Sequence, residues 1–223
     1  AHLGAEAGSI FLLEGEQLVC RACAGPVDIR GLTLPAAEGI VGQTVKRNEA
    51  RMARDVAREP SFAATVDAGT GFVTRSILCV PLAVRGAPLG ALELLNKRGG
   101  DGRFGAADLE LATTVAAAAA LAIHNASMAA ALVQQERVKR ELELARQIQE
   151  SLLPAPRDGG FPVHGRNLPA YEVSGDFFDF MPLADGRVYF CIADVAGKGM
   201  NAALLMARTL GLLRCLARRV ATP

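Results

Sequence analysis

The sequence predicts an α+β chain in three parts: an antiparallel sheet with flanking helices, one long helix, and a smaller mixed piece. Three observations predict it. Paired apolar runs meet across tight-turn residues in the first hundred positions. Ala106 to Leu153 then runs without a glycine or proline. Beyond Pro154 come short apolar runs, an Asp185-Gly186 turn and an apolar stretch launched from Gly197-Lys198-Gly199.

Taken in order, Ser9–Leu13 and Gln17–Cys23 flank Glu14-Gly15-Glu16, a hairpin signal. Pro35-Ala36-Ala37-Glu38 opens a helix over Gly39–Arg47, and a loop-rich region follows from Asn48 to Thr74. Ile77–Val84 and Leu89–Asn96 flank Arg85-Gly86-Ala87-Pro88, a second hairpin. In the long helix, His124, Met128, Ala131, Gln135, Val138, Leu142, Ala145, Gln149 and Leu152 recur at alternating spacings of four and three. That is a heptad seam with polar residues at 135 and 149, and it predicts a homodimer through helix 106–153, the alternative being one amphipathic helix packed on its own domain. About 45 residues would extend roughly 65 Å, more than one small domain covers. The third part predicts strands near Val163–Leu168, Phe177–Pro182 and Val188–Asp194 and a helix from Asn201 to Arg219. The predicted domains are 1–105, 106–153 and 154–223.

Twenty-four basic against 23 acidic residues leave a formal charge of +1. That balance lacks the basic excess of a nucleic-acid binder, so no nucleic acid is expected. The apolar run of Ala106–Ala122 is interrupted by Asp108 and Glu110, so no membrane span is expected, and a cytoplasmic location is. Five cysteines are scattered. Cys20 and Cys23 fall on a predicted strand whose period of two sends them to opposite faces, which argues for buried thiols rather than a redox or zinc pair. His2, His124 and His164 have no partner at metal-ligand spacing. Arg51, Arg54 and Arg58 could face an anion from the 48–75 loops or lie on a solvated helix face.

The residues that carry chemistry are Asp176, in Ser174-Gly175-Asp176, and Asp194, in Asp194-Val195-Ala196-Gly197, 18 positions apart and each near a strand end. Carboxylates with a backbone carbonyl suit a hard divalent ion such as Mn²⁺ or Mg²⁺. Two such ions could clamp a phosphoryl group and lower the pKa of a bridging water. Spacing alone is weak evidence, because Gly-Asp and Asp-Gly pairs also mark ordinary turns.

Ile148-Gln149-Glu150-Ser151-Leu152-Leu153-Pro154, Ser174-Gly175-Asp176-Phe177-Phe178-Asp179 and Asp194-Val195-Ala196-Gly197-Lys198-Gly199-Met200 resemble the N-terminal part of the PPM-type serine/threonine phosphatase domain, in its SpoIIE-like branch. The resemblance spans Ser151–Arg219 and implies a partial α/β/β/α phosphatase fold. It implies that Asp176, Asp194 and the Val195 carbonyl bind metal, two Mn²⁺ or Mg²⁺ ions in a complete domain. Asp179 would be an auxiliary ligand or a turn acid, and Lys198 a phosphate contact or a solvated lysine. A complete domain would need about a hundred further residues. The chain alone is therefore expected to be inactive.

Gly4-Ala5-Glu6-Ala7-Gly8-Ser9-Ile10-Phe11-Leu12, Gly39-Ile40-Val41-Gly42, Ser76 to Leu82 and Leu89 to Lys97 resemble a GAF domain, a small-molecule sensor fold, without its usual first helix. Asn96-Lys97, Phe104 and Asp108 are similar to a signature of cyclic-nucleotide-binding GAF domains, with Leu109 where that signature has Glu. Lys97 and Asp108 are expected to form a structural ion pair between the last strand and the long helix. Together the resemblances imply a sensor-phosphatase that hydrolyses phosphoserine or phosphothreonine on a regulatory protein. The alternative is a non-catalytic dimerisation and sensing module, or a cyclic-nucleotide receptor.

Overall fold

The computed structural model describes residues 3–62, 65–155, 161–169 and 172–219. The chain divides into two compact units, Ala1–Ala130 and Ala131–Pro223. The division falls inside the long helix, not at either of its ends, because the first part of that helix packs on the sheet.

In the first unit six strands form one antiparallel sheet. They are β1 (Ala5–Glu14), β2 (Gln17–Ala24), β3 (Thr33–Pro35), β4 (Arg51–Ala53), β5 (Ile77–Val84) and β6 (Ala87–Lys97), in spatial order β3-β2-β1-β6-β5-β4. The β5–β6 turn is the two-residue Arg85-Gly86, both at positive φ (52° and 81°), which matches the twist of a hairpin. The 48–74 region, expected as loop, holds β4, a 3₁₀ turn at Val56–Arg58 and the short helix α2 (Thr65–Thr70). These elements are too short to show a period.

Alternation along the central strands divides the core. Phe11, Ile77, Cys79 and Ala91 face the helix α1 (Gly39–Arg47), which contributes Ile40, Val41 and Val45. Leu78, Val80, Leu82, Leu92 and Leu94 face the other way. There they meet Phe104 and the fully buried stripe Ala112, Ala116 and Ala120 of helix α3 (Ala106–Leu152), whose small side chains allow close approach to the sheet. Asn96 closes β6 in a left-handed conformation (φ 55°) and is buried. Its amide accepts from the Arg75 N–H (2.7 Å) and donates to the Val73 carbonyl (2.9 Å) and the Glu6 carboxylate (3.0 Å).

Two expectations are corrected here. A β-bulge shifts the β1–β2 register, so that Ile10 faces Ala22 while Phe11 faces Cys20. The extra residue, Arg21, turns Cys20 and Cys23 to one face, the α1 side of the sheet. Both thiols are free, and burial followed by the neighbouring Cys23 and Glu93 pushes Cys20 up to about 11. The second correction concerns helix length and apolarity. Stretches within α3 and within α4 (Met200–Ala217) reach mean hydropathies of 1.6 and 1.3, long and apolar enough to cross a bilayer by those measures alone. Alanine is weakly apolar singly but adds up over 18 residues.

In the second unit β7 (Phe177–Pro182) and β8 (Val188–Ala193) form an antiparallel hairpin against α4. Phe177, Met206 and Leu210 make its small buried core, with Leu152 and Leu153 from the end of α3 packed against it. The strand expected near Val163–Leu168 does not form; the segment joins no ladder among the described residues. Instead, Asn167 donates to the Asp176 carbonyl (2.8 Å), and Gly165 passes so near the Phe178 ring that a Cβ would lie 2.3 Å from it.

Candidate functional site

The β7–β8 register places the two aspartates. Phe177 pairs with Ala193, so Asp176 and Asp194, the next residues along, stand opposite each other at the open end of the hairpin. Backbone contacts continue one step past the ladder there. The Val195 N–H donates to the Gly175 carbonyl (3.3 Å), and a Cβ on residue 175 would lie 2.5 Å from the Val195 carbonyl oxygen. Only glycine permits this approach, which brings Asp176, Asp194 and the Val195 carbonyl into one small region. Hydrogen bonding with Asp176, then its charge, holds the Asp194 carboxyl above the usual carboxylate range. Two facing carboxylates beside a backbone carbonyl are hard oxygen donors of the kind that Mn²⁺ or Mg²⁺ takes. Among the described residues no group of three or more His, Cys, Asp or Glu gathers there.

Asp179 goes elsewhere. Strand alternation turns it to the α4 side, where its side chain is 1% exposed and takes a two-pronged ion pair from Arg214 (2.7 and 2.9 Å). Arg214 also donates to the Leu152 carbonyl (2.7 Å), tying the last turn of α3 to α4 and β7. With both oxygens engaged, Asp179 is a structural anchor in this arrangement. Lys198 lies in the turn before α4.

A positioning residue was not recognised from sequence. Gln149, 6% exposed on α3, donates to the Ser174 carbonyl (2.6 Å) and accepts from the Ser174 N–H (3.0 Å), as a neighbouring strand would. The Ser174 hydroxyl in turn accepts from the Asp176 N–H (3.0 Å) and donates to its carboxylate (3.3 Å). Gln149 therefore fixes the loop that carries Asp176. Its polarity at a seam position was the available signal; a partner 25 positions away was not readable.

The first unit contains a cavity of about 130 Å³ between the sheet and the α1 and α2 side. Its walls are largely apolar, with Phe11, Ile40, Phe62 and Ile77 among them, and Glu38, Asp67 and Glu93 are its charged members. Arg51, Arg54 and Arg58 do not line it. Arg51 instead faces Glu59 (3.8 Å) and Arg58 faces Asp55 (3.5 Å). Outside the cavity, Lys97 pairs with Asp108 and also donates to the Leu3 carbonyl (3.3 Å). That pair, with the Gly105 N–H, lowers the Asp108 carboxyl and joins β6 to the start of α3.

Comparison with known proteins gives two family matches. The GAF domain model matches residues 1–123, just over half of the chain. The chain belongs to the GAF domain family. A second model, Stage II sporulation protein E (SpoIIE), matches residues 184–223, a span that includes Asp194 and Val195 but not Asp176. Among curated relatives, the phosphoserine phosphatase RsbU of Bacillus subtilis is 37% identical over 33% of this chain and 22% of its own length. The protein IcfG of Synechocystis is 41% identical over 35% of this chain and 12% of its own. A probable 3',5'-cyclic phosphodiesterase, pde-5 of Caenorhabditis elegans, is 32% identical over 41% and 12%. The chain thus spans between about an eighth and a fifth of the length of these relatives. Among solved structures, the GAF domain of a phosphoenolpyruvate-protein phosphotransferase from Coxiella burnetii superimposes with a TM-score of 0.51 at 24% identity, over 57% of this chain and 76% of that one. The GAF fold of the first unit and a GAF-linked signalling role follow, with a SpoIIE-like segment behind it.

Proposed function

We propose that the chain is the sensing and entry portion of a metal-dependent protein phosphatase that releases phosphate from serine or threonine on a regulatory protein. The observation that carries the reading is the pairing of Asp176 with Asp194 across the hairpin end, beside the Val195 carbonyl. The SpoIIE match and the likeness to a phosphoserine phosphatase support it. Asp176, Asp194 and the Val195 carbonyl would hold Mn²⁺ or Mg²⁺, which when bound supplies Lewis-acid charge and lowers the pKa of water. Ser174 orients the Asp176 carboxylate, and Gln149 holds Ser174. In the reaction water adds to phosphorus in line, the bond from phosphorus to the serine or threonine oxygen breaks, and that oxygen leaves as a hydroxyl after taking a proton.

Regulation would run along α3, because Gln149 and Leu152 on that helix touch the site loop and Arg214 directly. Two seam residues, Met128 and Val138, are 52% and 44% exposed, which supports a homodimer through α3.

The test is Mn²⁺-dependent hydrolysis of a phosphoserine peptide, measured with the chain alone and with the whole protein, native and Asp194→Asn. Hydrolysis by the native whole protein that falls at least about a hundredfold in the variant supports the assignment. Hydrolysis that survives Asp194→Asn, or none in any form, refutes it.

A further inference from the structure

We infer that the cavity of the GAF domain is built for a small organic cation, an ammonium group on an apolar body about the size of one ring, held by Glu93. The inference deepens the reading of this domain as a ligand sensor and rests on it.

Glu93 sits on β6, a central strand, with Ser9 of β1 on one side and Cys79 of β5 on the other. Alternation places it between Ala91 and Leu95 on the face turned to α1, where an apolar side chain would be the ordinary choice. One carboxylate oxygen accepts from the Ser9 hydroxyl (2.8 Å), and the side chain borders the cavity. Ser9 is neutral, and no Lys, Arg or His joins the cavity walls among the described residues. Asp67 adds a second acid, with its oxygens turned to the Thr74 N–H (2.7 Å) and hydroxyl (2.8 Å), and Glu38 a third. Burial, set partly against the Ser9 bond and reinforced by Asp67, pushes Glu93 up to about 7. A half-buried carboxylate on an apolar cavity wall without a cationic partner is costly, and an incoming ammonium supplies that partner. An anion would instead meet three acids and no positive charge.

Size agrees with charge. An engineered apolar cavity of about 150 Å³ admits benzene, so about 130 Å³ admits a body of that order. A cyclic nucleotide is larger than one ring as well as anionic.

The experiment is titration calorimetry of the full chain at neutral pH with benzylammonium, benzyl alcohol and benzoate, three probes of nearly equal shape, and with cyclic AMP and cyclic GMP. Benzylammonium is expected to bind at least about tenfold more tightly than benzyl alcohol, with benzoate and both nucleotides weaker still. In Glu93→Gln the preference for benzylammonium over the alcohol is expected to fall to within about twofold, while Asp67→Asn reduces it without abolishing it. Both variants are checked for a single cooperative thermal unfolding transition. Tighter binding of benzoate or a nucleotide overturns the cation assignment while upholding ligand sensing. A preference that survives in Glu93→Gln overturns the role of Glu93, and no binding of benzylammonium overturns the proposal outright. None of these outcomes depends on phosphatase activity, so the two readings fail separately.

Discussion

The GAF domain and the SpoIIE-like unit are held together by different forces. The first encloses two apolar clusters on either face of a six-stranded sheet, with Phe11, Leu18, Leu78, Leu82 and Phe104 all at most 1% exposed. The second buries Phe177, Met206 and Leu210 under a two-strand hairpin, and leaves Phe190 and Ile192 of β8 68% and 88% exposed. Its order is set by polar ties: Arg214 to Asp179 and Leu152, and Gln149 to Ser174. A unit built on directed bonds loses its geometry abruptly when one is removed, whereas an apolar core yields by degrees.

The sharpest break of that comparison is Arg214→Leu, which strands the buried Asp179 without a partner. It should destabilise the second unit by about 3–5 kcal/mol and leave the GAF domain intact, read as hydrogen exchange that rises in α4 and β7 but not in β5 or β6.

Next comes Glu93→Gln, where a substitution should stabilise. The Glu93 carboxyl holds its proton up to about 7 in the folded domain, against 4.5 for an ordinary glutamate. Its contribution is fully present below pH 4.5 and is lost as pH rises through 7. Asp67, Glu38, Cys20 and Cys79 are the other titratable groups around it. The variant should gain up to about 3 kcal/mol at pH 8 and flatten the stability profile between pH 4.5 and 7, measured by urea unfolding across that range.

Gln149→Leu should cost about 1–3 kcal/mol by leaving the backbone N–H and carbonyl of Ser174 without their partner. It should also weaken Mn²⁺ binding, followed by electron paramagnetic resonance, although the carboxylates themselves are untouched. Lys97→Met sets the low end. That ion pair is about one-fifth exposed on each side, and its loss should cost about 1 kcal/mol in thermal unfolding.

What could be read from the sequence follows the range of the interactions. The hairpin turns at Gly15 and Gly86, the bounds of α1 and the extent of α3 depend on neighbours a few residues apart, and those signals were present. The β1–β2 bulge was not readable, because nothing in Gln17–Ala24 announces that Arg21 is the extra residue, and so the two cysteines were assigned to opposite faces. The strand expected over Val163–Leu168 failed for a related reason: an apolar run becomes a strand only where a ladder partner exists. The Asp176–Asp194 pair was visible as a motif, while the Arg214 and Gln149 ties span 35 and 25 positions and required the fold. Glu93 was passed over because a single acid within an alternating strand reads as a solvent-facing residue.

The Gln149 amide also has a directional consequence. It satisfies the Ser174 N–H and carbonyl together, which one azimuth of the helix allows. Successive residues of a helix are turned by about 100°, so a slip of α3 by one residue would bring Ile148 or Glu150 to the place of Gln149 and leave Ser174 facing a different chemistry altogether. The contact behaves like a key cut for one angle: it discriminates between rotational settings of α3 in discrete steps, and intermediate twists have no bonded state in which to rest.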